Sequence, residues 1–321
     1  MAVYDVFNGD ADGICALVQL RNVEPLESTL VTGVKRDIAL LERVQVARGD
    51  RVNVLDISMA KNSEALARLL ADGAIVFYCD HHQPGDIPKH PALDALINVE
   101  PNVCTSLLVN GRLNGAVANW AVVGAYGDNL RQSAEALARY RDLNTKECGL
   151  LENLGIYLNY NGYGASLDDL HFAPDELYLR AVRYIDPLAF ISDDSETFGK
   201  LESGYHDDMR RAREATMLRE TTVSAAVLLP NEKWARRVSG VYGNALANDA
   251  PQRAHAVLTE RADNTYLVSV RAPLENKTAA DQLCSEFPTG GGRKAAAGIN
   301  ALPAEMLERF LDRLDATYSQ S

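Results

Sequence analysis

In the front half of the chain, short apolar runs alternate with segments whose apolar positions recur at helical spacing, the succession that a parallel α/β sheet requires. VYDVF at 3–7 predicts a first strand, followed by a loop at 8–13 and an amphipathic stretch to about residue 20. Further strands are predicted at 28–31, 51–56, 74–79 and 94–99, with helices between them, notably over 62–71. Ligands of open parallel sheets bind beyond the carboxyl ends of the strands, so residues just after these runs are placed to converge. From about 134 to 219 the pattern is mainly helical, interrupted by the glycine- and aromatic-rich segment LNYNGYGASLDDLHF at 158–172. Residues 206–222 are polar, helix-prone and free of Pro and Gly, and read as a helical connector. A second domain is expected over 223–321, with strands at 224–229, 254–259 and 265–271, a glycine cluster and an amphipathic helix over 303–318. The expected organisation is a Rossmann-like parallel-sheet α/β domain over 1–205, the connector, and a smaller mixed-sheet α/β domain across a cleft. No internal repeat or low-complexity tract interrupts it.

Composition agrees with a globular protein: 321 residues, 47% hydrophobic and 24% charged, are enough for two ordinary domains. The start MAVYDVFNGDADG lacks the basic and apolar regions of a signal peptide, and no segment approaches the roughly 20 apolar residues of a membrane span, so a cytoplasmic location is expected. Cys15, Cys79, Cys104, Cys148 and Cys284 form no C-x-x-C pair and read as reduced, mostly buried thiols. The net charge of -12 argues against tracking of long nucleic acid, whose affinity comes from many Lys and Arg contacts to phosphate. Its distribution is uneven: residues 1–205 carry 17 Lys+Arg against 29 Asp+Glu, and residues 206–321 carry 15 of each. Surface acids serve solubility, but a carboxylate-built metal site also belongs in the acidic part.

Four acidic stations stand out there. Asp10 and Asp12 follow the first strand in NGDADG, with Gly13 letting the chain turn close to what they bind. The same spacing occurs in plain turns and calcium loops, so the pair gains meaning from its neighbours. Asp56, within NVLDIS, stands at another strand terminus, where an acid also serves as a helix cap. FYCDHHQPG sets Asp80, His81 and His82 directly after an apolar strand, a poor choice for packing and a good one for a transition metal. Asp128 in GAYGDN is the fourth. One histidine with several carboxylates suits two hard or borderline cations, Mn2+ or Mg2+ rather than zinc, in a centre that activates water and clamps a phosphate.

Together these motifs resemble the DHH phosphoesterase family joined to its DHH-associated C-terminal domain. NGDADG, LDIS, CDHH and GAYGDN occur in that family's order, and EFPTGGGRKAAAGI resembles the glycine-rich motif of the associated domain. The resemblance implies that Asp10, Asp12, Asp56, His81 and Asp128 are metal ligands, with Asp56 bridging both ions. It implies that His82 orients a ligand or touches the phosphate, and that Asp80 fixes an imidazole from behind. Two positions depart from the pattern. Asn8 stands where the family has His or Asp, so the ion held by Asn8, Asp10 and Asp56 is expected to bind more weakly than its neighbour. Arg293 stands where the family has His after the three glycines.

In the C-terminal domain, Gly290, Gly291 and Gly292 followed by Arg293 and Lys294 offer close backbone approach with cations at the edge, a combination suited to phosphate. Arg271, ending YLVSVR, matches an arginine common among the relatives; Arg236 and Arg237 read as a solvated face. Tyr157, Tyr160 and Tyr163 offer stacking surfaces for a base but are explained equally by packing. The implied activity is hydrolysis of dinucleotides or nanoRNA to mononucleotides. pGpG, the linear product of cyclic di-GMP opening, is a specific candidate, and Arg293 could read a guanine edge. The family also includes phosphoadenosine-phosphate phosphatases, cyclic-dinucleotide phosphodiesterases and exonucleases. A non-catalytic nucleotide-binding regulator is the reading of another class. A pyrophosphatase is disfavoured by the glycine motif. The expected partner is a small nucleotide, without long duplexes or a membrane, and a homodimer is compatible with the resemblance.

Overall fold

The computed structural model describes residues 1–319; Gln320 and Ser321, the end of the expected second domain, lie outside the described residues. The chain divides into two compact units, Met1–Ser203 and Gly204–Ser321.

The first unit is built on a five-stranded, all-parallel sheet of order β2-β1-β3-β4-β5, comprising β1 (Val3–Phe7), β2 (Thr29–Val31), β3 (Arg51–Leu55), β4 (Ile75–Asp80) and β5 (Leu93–Ile97). On one face, Val6, Val52, Val54, Val76 and Tyr78 of the strands pack against Leu66, Leu69 and Leu70 of α2 (Ser63–Ala71). The helix α1 (Ala11–Val23) is buried from Ala11 to Arg21, so its residues read as apolar nearly all round rather than as a stripe. It packs against α3 (Thr105–Arg112) and α4 (Ala118–Gly127), and α4 in turn against α6 (Thr145–Gly162), which follows α5 (Arg131–Tyr140). The close approach needs small residues: a Cβ on Gly127 would lie 2.3 Å from Ala11 Cβ. In the middle of β1, buried Asp5 accepts from Arg21 Nε at 2.7 Å, Ser28 Oγ at 2.6 Å and Asn53 Nδ2 at 2.7 Å, so this buried charge is paired. Helices α7 (Pro174–Ala181), α8 (Pro187–Asp193) and α9 (Ser195–Ala212) complete the unit, the last running past its boundary.

The second unit has a six-stranded mixed sheet of order β10-β11-β9-β8-β7-β6, in which only β7 (Ser224–Leu229) and β8 (Ala254–Glu260) pair in parallel, with α10 (Lys233–Asp249) between them in the chain. The others are β6 (Thr216–Glu220), β9 (Thr265–Arg271), β10 (Gly290–Gly292) and β11 (Ala296–Pro303). Phe310, Leu311, Leu314 and Tyr318 of α12 (Leu307–Ser319), with Leu283 and Cys284 of α11 (Ala280–Ser285), close the core over Ala256, Leu258, Val268 and Val270. The α/β class with one parallel and one mixed sheet is the one expected. The helical connector over 206–222 is corrected: the helix stops at Ala212, and Thr216–Glu220 is an edge strand antiparallel to β7. Its polar side chains disguise it, as is common at a sheet edge.

Candidate metal centre

The parallel sheet sends three loops to one edge. After β1, Asp10 caps α1, its Oδ1 accepting from the amides of Asp12 at 3.0 Å and Gly13 at 3.1 Å. Gly13 itself lies in the first helical turn, not in an open loop; a Cβ there would fall 2.3 Å from the Asn8 carbonyl oxygen, so the glycine is required by the loop folding back on the helix. After β3, Asp56 sits at φ 61°, a left-handed conformation that a non-glycine residue keeps only when its surroundings dictate it. After β4 come His81 and His82, with Asp80 as the last residue of the strand. The fourth contribution, Asp128, comes from the carboxyl end of the buried helix α4 and not from a strand.

The imidazole of His81 joins these stations. Its Nε2 lies 3.4 Å from Asp56 Oδ1 and 3.9 Å from both Asp12 Oδ2 and Asp128 Oδ2. Its Nδ1 is 2.9 Å from the Val103 carbonyl, which can only accept, so this nitrogen carries the hydrogen. Ligand atoms of Asp56, His81 and His82 lie within 4.8 Å of one another. His82, 31% exposed, has its Nδ1 2.7 Å from Asp80 Oδ1.

Thr105 and Ser106, which the sequence did not single out, hold Asp12. Their amides, the first of α3, donate to Oδ2 and Oδ1 at 2.8 and 2.7 Å, and Thr105 Oγ1 donates to Asp56 Oδ1 at 3.2 Å. A helix amino terminus here serves a protein carboxylate. The second unforeseen residue is Lys35, whose ammonium pairs with Asp10 Oδ2 and donates to Asn159 Oδ1 at 2.8 Å.

Burial raises the Asp12 carboxyl and, with the charges of Asp12 and Asp10, holds Asp56 well above the usual range. For Asp10 burial pulls the same way, but the Lys35 ammonium outweighs it and leaves that carboxyl low. Burial would lower His82, yet its bond to Asp80 raises it overall. Burial first, and the Asp12 charge second, push the thiols of Cys15, Cys79 and Cys104 up. Crowded acids whose carboxyls are pushed up are short of positive charge. Buried Asn8 Oδ1 has no hydrogen-bond partner, as a carbonyl oxygen aimed at a cation would not. Oxygen donors and one imidazole, with no charged thiol, fit a divalent cation of the Mn2+ or Mg2+ kind.

In the second unit, β10 and β11 form a hairpin whose turn holds Lys294 between Arg293 and Ala296. The three glycines differ in kind. A Cβ on Gly290 would meet the Cys284 carbonyl oxygen at 1.8 Å and one on Gly292 the Ala297 Cα at 2.5 Å, so packing explains both. Around Gly291 there is open space. Arg271 lies beside this turn, paired in register with Ala296. Its guanidinium donates to Asn244 Oδ1 at 2.6 Å, Ser269 Oγ at 3.0 Å and the carbonyls of Val270 and Gly240 at 3.2 Å, all neutral acceptors. Arg237 is no part of a solvated face: it is mostly buried and pairs with Asp208 at 2.9 Å. Arg236 bonds Asn231 Oδ1 at 2.7 Å. Tyr157, Tyr160 and Tyr163 are all buried, as packing residues are.

No family model and no curated protein sequence matches the chain. Solved structures do: the architecture is that of the DHH-domain proteins. The DHH domain of a member of the S1p family of ribosomal proteins aligns with a TM-score of 0.64 at 12% identity, over 98% of this chain and 86% of that one. RecJ from Thermus thermophilus, solved in complex with Mn2+, gives 0.60 at 19% identity over 100% of this chain and 52% of RecJ, so the chain spans about half of that protein. The pGpG-specific phosphodiesterase PggH from Vibrio cholerae gives 0.54 at 15% identity, over 100% and 99% of the two chains. At these identities the likeness is one of fold.

Proposed function

We propose that the chain is a divalent-cation-dependent phosphoesterase of the DHH kind that hydrolyses the phosphodiester of short linear nucleotides, pGpG among them, to mononucleotides. The observation that carries the reading is the convergence on His81 Nε2 of Asp12, Asp56 and Asp128, from three distant parts of the chain. On this reading one cation would be held by Asn8, Asp10 and Asp56 and another by Asp12, Asp56, His81 and Asp128. A divalent cation held there would supply an acidified water and a counter-charge for the phosphorus oxygens. The protein's own part is positioning. Val103 sets the tautomer of His81, the amides of Thr105 and Ser106 lock Asp12, and Asp80 steers His82. His82, partly open to solvent and kept protonated to higher pH by Asp80, is suited to donate a hydrogen bond to the substrate phosphate.

The charge balance and, separately, the glycine turn of the second unit support a small substrate. The acidic balance of residues 1–205 disfavours long polyanions. The open face of Gly291, with Arg271 beside the turn, suits one terminal phosphate. PggH, of nearly the same extent, is described as pGpG-specific. The test is product analysis with Mn2+ and a panel of pGpG, pApA, longer oligoribonucleotides, cyclic dinucleotides and phosphoadenosine phosphate. Mononucleotide from pGpG alone marks a dedicated enzyme, and equal rates across dinucleotides mark a general nanoRNase. Phosphate release from phosphoadenosine phosphate alone overturns the phosphodiester reading, and binding without turnover of any substrate overturns the enzyme reading.

A further inference from the structure

Lys35 lies in the loop after β2, and three bare backbones bring it to the centre. A Cβ on Gly9 would fall 1.9 Å from the Gly33 carbonyl oxygen, and one on Gly162 2.9 Å from that of Gly9. The Lys35 amide donates to the Gly162 carbonyl at 2.8 Å, fixing this loop to the carboxyl end of α6. The side chain, only 20% exposed, enters a built ammonium site: Asp10 Oδ2, Asn159 Oδ1 at 2.8 Å, and the Tyr163 ring, whose centroid is 5.3 Å from Nζ. Asn159 is itself buried.

The charges in the centre are uneven as a result. Asp12, Asp56 and Asp128 face the imidazole of His81. Asp10 is matched to a fixed cation, and its neighbour Asn8 contributes an amide oxygen without charge. A divalent ion at the Asn8–Asp10 end must displace the ammonium or tolerate its repulsion in a poorly solvated space. An ion at the Asp12–His81 end meets no fixed ammonium; it meets the Nε2 side of His81, whose Nδ1 is turned to the Val103 carbonyl.

We propose that Lys35 acts as a built-in cation that takes over the Asn8–Asp10 end of the centre, so that the chain binds one divalent ion tightly, at Asp12, Asp56, His81 and Asp128, and a second only weakly. The proposal rests on the reading of the centre as a metal site. Lys35 is a positioning residue: it neutralises Asp10 and holds the loop after β1 in its working shape without occupying a coordination place of the tight ion.

Mn2+ titration of the cation-free full chain, followed by calorimetry and by the electron paramagnetic resonance of free Mn2+, decides the matter without reference to turnover. The expected result is one ion per chain in the wild type, two in Lys35→Met with the second bound at least about tenfold more tightly than before, and one again in Lys35→Arg. Asn8→Asp is expected to strengthen the second ion in the same direction. Two ions of similar affinity in the wild type overturn the proposal by themselves, whether or not any variant folds. An unchanged second affinity in a folded Lys35→Met, verified by circular dichroism, overturns it as well. No Mn2+ bound by the wild type removes the metal-site reading itself, and the proposal falls with it.

Discussion

The Nδ1 hydrogen of His81 is given to the carbonyl of Val103 at 2.9 Å, and that bond decides what the other ring nitrogen does. Nε2 is thereby turned toward Asp56, Asp12 and Asp128. Replacing His81 by Ala removes the ligand common to three acids while leaving the sheet intact. The expected outcome is a loss of Mn2+ affinity and of turnover of roughly 100-fold or more, read by calorimetry and initial rates. A variant that keeps wild-type affinity contradicts the assignment.

Asp80 and His82 supply a test that needs no substrate. The bond of 2.7 Å between them raises the imidazole in the cation-free protein. In Asp80→Asn the countercharge is gone while burial remains, so the ring should lose its proton at lower pH than in the wild type. Histidine resonances followed through a pH titration in the presence of a chelator report the direction. A ring that titrates higher in the variant would contradict the account.

Cation-free protein should lose stability as the solution becomes more alkaline. Asp12 and Asp56 release their protons later in the folded chain than the ordinary 3.8 of an aspartate, so the folded state holds more protons than the unfolded one. The stability they give is full below that value and is lost as pH rises through their raised values; Asp10, held low by Lys35, has the opposite sign and loses its contribution as pH falls. Above 3.8 the Asp10 contribution is already complete, so the chelated protein is expected to melt lower as pH rises through the raised values of Asp12 and Asp56, and Mn2+ to raise the melting temperature more toward the alkaline side. Scanning calorimetry with and without chelator checks both signs.

Arg271 donates only to neutral acceptors and lies beside the Gly291 turn. If it holds a terminal phosphate in ground and transition states alike, Arg271→Ala raises KM by about 10-fold or more and leaves kcat near its wild-type value. A fall in kcat at unchanged KM would assign it to the reacting phosphate instead.

Much of this architecture was legible because its signals are local. The strands β1, β3 and β4 are mainly apolar, and Asp10, Asp56 and Asp80–His82 stand at or just after their ends. The rest depends on contacts that a linear pattern does not carry. Lys35 meets Asp10 across 25 positions and Asn159 across 124, and nothing near it in the chain distinguishes it from a surface lysine. Thr105 and Ser106 reach Asp12 through the start of a helix that follows β5, 93 and 94 positions away. The edge strand β6 alternates too weakly to be told from a polar helix. Gly290 and Gly292, which looked like ligand contacts, are demanded by packing, a distinction that only the neighbouring backbone makes.

The protonated sulfurs of Cys15, Cys79 and Cys104 give the molecule a chemical memory. A buried thiol kept from ionising is a slow target for alkylating agents and peroxide. Labelling at any of the three therefore records that a given molecule has opened, and the pattern of labelled cysteines dates the loosening of the helices and strand that carry the centre.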